Sequence, residues 1–190
     1  MGGMKVVAIC GVSGSGKTTV VKQLSQHFSC PYLLFDDYVD SNTYPKNIKH
    51  WLQVGADTSE IKTPLFLSAL QSLKEECTDP FVFIEEPFGR CRDSMSPLID
   101  HCILLDLPME VCLARVILRN ISSSSNDSLS SISHYLTRYN DHFRDVYINV
   151  NEQVRKSSDF ILHDVEPVKS TVDRISHWLT TDLNNTKKTQ

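Results

Sequence analysis

A three-layer α/β fold, built on a five-stranded, mostly parallel sheet and carrying a helical lid, is predicted by three features of the sequence. Short apolar runs alternate with amphipathic stretches along the chain, the pattern of strands joined by crossover helices. The first apolar run, Val6 to Ile9, opens into a glycine-rich turn and then a helical pattern carrying Val20, Val21 and Leu24. Acidic residues follow two later runs directly, at Asp36 and Glu85, on the strand edge where such sheets place their chemistry.

The glycine-rich turn organises the rest. Gly11, Gly14 and Gly16 with Lys17 and Thr18 fill the pattern G-x-x-x-x-G-K-[ST], in which glycines let successive backbone N–H groups face inward around an anion. Ser13, Ser15 and Thr19 belong to the same cradle and the first helical turn. Unpaired N–H groups and the positive end of the helix dipole add to it. Lys17 is expected to reach the β- and γ-phosphates of ATP, and the Thr18 hydroxyl to complete the shell of a bridging Mg²⁺. The architecture expected around this loop is that of a P-loop NTPase.

Length and composition bound what can be attached to it. The chain has 190 residues, enough for one domain with a sizeable core, expected over residues 1–183 with a polar tail at 184–190. A formal charge of −4 gives no general attraction to nucleic acid, although local basic patches remain able to hold phosphate. No long apolar span is present and the start lacks a signal-peptide layout, so no membrane association and a cytoplasmic location are expected. Met1-Gly2 begins like a myristoylation signal, but Val6 stands where Ser or Thr is needed. The six cysteines show no C-x-x-C pair or zinc spacing and read as buried thiols, with Cys91, between Arg90 and Arg92, the most reactive.

The remaining elements follow in order. Tyr32 to Phe35 reads as a second strand ending in Asp36-Asp37-Tyr38, with Asp36 the functional acid and Asp37 in support. Residues 39–63 are long for a connection and are expected to form an acceptor-binding region with a short helix at Ile48 to Leu52. Within it, Tyr44, Trp51 and Asp57 serve either packing and turns or the acceptor. Thr63-Pro64 starts a helix whose apolar face includes Leu65, Phe66, Ala69, Leu70 and Leu73. Phe81 to Ile84 is a strand followed by Glu85, placed to organise metal or water, and Glu86 sits in the turn closed by Pro87. Arg90 and Arg92 read either as solvated charges or as contacts to an acceptor phosphate.

His101 to Leu105 is the next strand, and the helix after it carries Arg115 and Arg119 on one face. One is placed to lie near adenine and the other to clamp transferred phosphate; exposed helix arginines are the plain alternative. Ser122 to Ser128 has no apolar set to bury and reads as mobile. With a helix from about Ile132 to Asp145, it predicts a lid over residues 119–134, with Arg138 and Arg144 as further clamps. His134 and His142 read as ordinary polar positions. Phe160 to Leu162 is the last strand, and Pro167 leads into a helix carrying Val168, Val172, Ile175 and Leu179.

The whole chain resembles the uridine kinase and nicotinamide riboside kinase group of P-loop phosphotransferases. The resemblance lies in Asp36-Asp37-Tyr38, Ile84-Glu85, Arg115 and Arg119 before a lid, Tyr135-Leu136-Thr137-Arg138-Tyr139 after it, and Ser158-Asp159-Phe160-Ile161-Leu162. It implies that Asp36 is the acid near the acceptor hydroxyl, that Glu85 is the acid of an I-E-G motif, and that the lid arginines hold ATP phosphates. It also implies transfer of the γ-phosphoryl of ATP to a nucleoside or another small alcohol. On this reading the catalytic set is Asp36, Lys17, Glu85 and Arg119, and the metal set is Thr18, Asp36 and Glu85. Arg115 joins the nucleotide cradle, and the protein is a monomer or homodimer. The chain departs from the family at Phe35, where a polar residue is usual, and at Glu86-Pro87, where glycine and an apolar residue are usual. A nucleoside monophosphate kinase, using Arg90 and Arg92, and a non-catalytic ATP-binding protein are the alternatives. A guanine-binding switch is disfavoured because no N-K-x-D sequence is present.

Overall fold

The central strand β1, Lys5–Cys10, is buried along nearly its whole length because strands flank it and helices cover both its faces. The structure, a computed structural model, describes residues 3–122 and 128–186. The other strands are β2, Tyr32–Leu33; β3, Phe81–Glu85; β4, His101–Leu105; and β5, Phe160–Leu162. Their order is β2-β3-β1-β4-β5 and every pairing is parallel. The crossovers are α1, Lys17–Phe28; α2, Ile48–Gln53; α3, Pro64–Glu76; α4, Met109–Ser122; α5, Ser128–Arg138; α6, Arg144–Arg155; and α7, Val168–Thr186.

Alternation along β1 divides the core in two. Val7 and Ile9 pack with Val20, Val21 and Leu24 of α1 and with Val172, Ile175 and Leu179 of α7. Val6, Ala8 and Cys10 face the other way, toward Phe66 and Leu70 of α3 and Val150 and Val154 of α6. These are the predicted three layers, and the sheet is parallel throughout. The chain reverses direction of progression on either side of β1, so the crevice at the carboxyl ends of β1 and β3 is the natural ligand position.

Several boundaries differ from expectation. The second strand stops at Leu33, and Phe35–Tyr38 winds into a 3₁₀ turn that swings Asp36 off the strand axis. Leu65 is exposed and only Phe66 and Leu70 of α3 are buried, a narrower stripe than predicted. The helix expected to stop near Asp145 continues: α5 passes through a π-helical turn, Tyr139–Phe143, into α6. Helix α7 carries Asn184 to Thr186 with it, so the start of the expected frayed tail is helical. Residues 123–127, the centre of the predicted serine-rich lid, lie outside the described residues, as do 187–190. No described helix is long and apolar enough to cross a membrane.

Candidate active site

The loop between β1 and α1 is shaped by glycines. Gly14 has a φ of +85°, and a Cβ there would stand 2.1 Å from the Cys112 carbonyl oxygen, so no side chain fits. Gly16, at φ +100°, turns the chain into α1 as its N-cap. Lys17 folds over the loop, its ammonium donating to the Val12 carbonyl at 3.0 Å. Burial pushes the Lys17 pKa down, against the opposing pull of Glu85 and Asp36.

Glu85 arrives from the next strand, since β3 pairs with β1 in a register that sets Ile9 beside it. Its carboxylate accepts from the Thr18 hydroxyl at 2.9 Å and lies 3.7 Å from the Lys17 ammonium. Burial raises its pKa, and Lys17 and Thr18 oppose that shift. The structure thus brings lysine, hydroxyl and carboxylate together.

A cavity of about 750 Å³ opens over this cluster. On one side it is lined by the loop from Gly11 to Gly14, by Gly16 to Thr19, and by Arg115 and Arg119. Arg115 braces the loop, its guanidinium 3.4 Å from the carbonyl oxygens of Gly14 and Ser15, while Arg119 is exposed. Ser15 does not line the cavity; its hydroxyl is buried beneath the loop with no partner among the described residues. The facing wall is largely aromatic and apolar, with Phe35, Tyr44, Ile48, Trp51, Ile61 and Phe88, and Asp36 stands at its edge. Asp37, expected in support of Asp36, does not line the cavity.

Other candidates resolve into structural roles. Asp57 caps the turn Thr58–Glu60, its side chain accepting from the Ser59 amide at 2.9 Å and its carbonyl from the Trp51 indole at 2.8 Å. Arg90 donates to Asp159 and to the carbonyls of Ile99, Asp100 and Ser157. Arg92 is buried and paired with Glu86, so neither arginine lines the cavity and the support for a monophosphate acceptor is lost. Arg138 lines the cavity over the Phe143 ring, whereas Arg144 pairs with Asp145 outside it. Cys91 is not the reactive thiol expected, because burial raises its pKa, outweighs the nearby positive charge and disfavours thiolate.

The wall contributed by α6 and the π-helical turn before it is not among the sequence expectations. Phe143, Tyr147 and Asn151 line the cavity, and Val146 and Val150 interleave with them. Their spacing of four residues was the available signal. Asn151 is held by donating to Asp106 at 3.2 Å, and Asp106 in turn accepts from Arg155 at 2.9 and 3.0 Å.

The residues present fit a nucleoside triphosphate with magnesium. Gly14 leaves space that a Cβ would fill, loop amides and Lys17 suit phosphate, and Thr18 with Glu85 supplies the hard oxygen donors that Mg²⁺ prefers. Such a cradle on a parallel sheet, with an acid at the neighbouring strand end, defines a P-loop kinase fold. Residues 10–133 match the family model described as an AAA domain, and the chain belongs to that family. It is similar to the uridine kinases of Borreliella burgdorferi (strain ZS7) and Borrelia garinii subsp. bavariensis. Each is 26% identical over a 212-residue alignment covering 97% of this chain and 96% of the relative. Shikimate kinase from Acinetobacter baumannii in complex with shikimate shares the fold with a TM-score of 0.53, at 14% identity over 94% of both chains. A sugar kinase from Janibacter sp. HTCC2649 does so with a TM-score of 0.56, at 18% identity over 93% of this chain and 95% of that one.

Proposed function

We propose that this protein is an ATP-dependent kinase that transfers the γ-phosphoryl group to a hydroxyl of a nucleoside or nucleoside-like alcohol. The observation that carries the reading is the meeting of three things in one cavity: the glycine cradle, the Lys17, Thr18 and Glu85 cluster, and Asp36 beside an aromatic wall. The similarity to uridine kinases over nearly the whole chain supports it.

In this reading residues 1–183 are one kinase domain, with the acceptor region at 39–63 and the lid at 119–134. Lys17 moves from the Val12 carbonyl to the β- and γ-phosphates, and the loop amides hold the β-phosphate. Thr18 and Glu85, with Asp36 nearby, hold magnesium and its water. Held there, magnesium would supply positive charge against the phosphates. Asp36 orients the acceptor hydroxyl and takes its proton as the bond to phosphorus forms, while Arg119 stabilises charge on the transferred group. The aromatic wall excludes water, which limits loss of the phosphoryl group by hydrolysis.

Steady-state assays with Mg-ATP against nucleosides, nucleoside monophosphates, pantothenate-like alcohols and sugars test this. Transfer to an uncharged nucleoside or close analogue, well above ATP hydrolysis, is expected. Protein that binds Mg-ATP yet phosphorylates none of these alcohols would overturn the reading.

A further inference from the structure

Glu86 and Arg92 form a buried ion pair immediately behind the acceptor side of the cavity. Glu86 is 0% exposed and Arg92 1%. One terminal nitrogen of Arg92 donates to the Glu86 carboxylate, and the other donates to the Ile61 carbonyl at 3.2 Å and the Thr63 hydroxyl at 2.8 Å. The remaining carboxylate oxygen of Glu86 accepts from the Phe88 amide at 3.3 Å. The guanidinium carbon lies 5.4 Å from the centre of the Phe35 ring and 5.9 Å from that of Phe88. Both rings line the cavity, so Arg92 is separated from it by about one aromatic side chain.

We propose that Glu86 is a specificity-determining residue: it cancels the charge of Arg92 behind the Phe35 and Phe88 wall and thereby makes the pocket reject anionic acceptors. The inference rests on the proposed acceptor side of the cavity. A buried ion pair is seldom more stabilising than apolar residues of the same volume, so fold stability alone gives little reason for one here. Its electrostatic consequence is direct. Arg92 is a permanent cation, and two aromatic rings screen poorly. Left without Glu86, it would act on a ligand charge roughly 8 Å away strongly enough to change affinity by about thirtyfold at an effective dielectric of ~20. With Glu86 in place that attraction is largely offset, and of the charges at the inner end of the acceptor side Glu85 is paired with Lys17 at 3.7 Å, which leaves the carboxylate of Asp36. Asp36 repels an anion. Exposed Lys46 and Arg138 also line the cavity and give every anion the same background attraction in wild type and variants.

The test uses full-length protein saturated with Mg-ADP and two matched pairs of ring alcohols. Uridine is compared with its carboxylated analogue orotidine, and methyl shikimate with shikimate, all by calorimetry. Wild type is expected to bind the uncharged member of a pair more tightly. Glu86→Gln and Glu86→Met should shift the ratio at least about tenfold toward the anion. The double variant Glu86→Gln/Arg92→Met should return it to the wild-type value, which a purely structural role for the pair would not do. An unchanged ratio in folded single variants, or an equal shift in the double variant, would overturn the proposal. Where the single variants fail to fold, wild type decides: equal affinity for charged and uncharged members, or no binding of any of the four, also overturns it. Binding is read without turnover, so an inactive protein that shows the shift would refute the kinase reading and leave this inference standing.

Discussion

Asp36 and Glu85 reach one cavity from different strand ends, and their surroundings divide the work between them. Glu85 is buried and already committed to Thr18 and Lys17, as suits a group that holds an ion or its water. Asp36 is exposed, lines the cavity and makes no side-chain hydrogen bond among the described residues, as suits a base that must reach a substrate hydroxyl. Replacing Asp36 with Asn keeps its size and removes its charge. The expected result is a loss of about 10²- to 10⁴-fold in single-turnover phosphorylation with ATP affinity little changed. A near-wild-type rate for this variant alongside a large loss for Glu85→Gln would move the base to Glu85. Burial of Glu85 has a second consequence. Its folded pKa lies above the ordinary 4.5, so the stability it contributes is present below 4.5 and is lost as pH rises through the raised value. Glu85→Gln should therefore gain stability relative to wild type as pH rises above 4.5, read from urea unfolding at each pH. A stability difference that does not change with pH would contradict this.

At the scale of elements, α5 stands apart. None of its residues from Leu129 to Arg138 is buried, whereas α1 buries Val20, Val21 and Leu24, so α5 is held by partly exposed contacts, such as Tyr135 on the rings of Tyr139 and Phe143, rather than by a buried stripe. The π-helical turn Tyr139–Phe143 joins it to α6, which is anchored by Val150 and Val154 and by the bonds of Asn151 and Arg155 to Asp106. A loosely held helix carrying Arg138 beside the cavity matches what a lid requires. Amide exchange across Ser128–Arg138 should slow markedly when Mg-ATP and an acceptor are bound together, while exchange in α1 and β1 stays slow throughout. Unchanged exchange in α5 of a saturated ternary complex would remove the lid from the mechanism. The same elements show what a sequence can and cannot disclose. The cradle was legible because glycine spacing, lysine and threonine act within eight consecutive residues. So were the central strands, whose continuous apolar runs reflect burial on both faces. The wall formed by α6 and the turn before it escaped because its cavity-lining positions, Phe143, Tyr147 and Asn151, mix aromatic and polar residues and blur the stripe made by Val146, Val150 and Val154. Arg92 was misread for a different reason. Burial of an arginine depends on a partner, and nothing local marks Glu86, six residues earlier, Ile61 and Thr63 as the groups that receive it.

At the scale of the molecule, the proposed ligand ties together parts of the chain that are far apart in sequence. The cavity draws on the loop after β1, the end of β3, the turn after β2, and helices α2, α4 and α6. A ligand seated there binds only the folded arrangement, so its binding energy adds to global stability in proportion to the logarithm of its saturation. At a hundred times its dissociation constant, Mg-ATP should add about 2.7 kcal/mol. For a domain of this size each kcal/mol raises the melting temperature by about 2 to 4 °C, so a rise of about 5 to 10 °C is expected. Removing Mg²⁺ with excess chelator at the same ATP concentration should reduce the rise, because Thr18 and Glu85 then lack the ion that joins them to the phosphates. Lys17→Met should abolish most of it, since the ammonium it removes is the cation seated in the glycine loop. Differential scanning calorimetry with and without Mg²⁺ reads all three outcomes. A melting temperature indifferent to saturating Mg-ATP would show that the cradle does not bind nucleotide, and the kinase reading would fall with it.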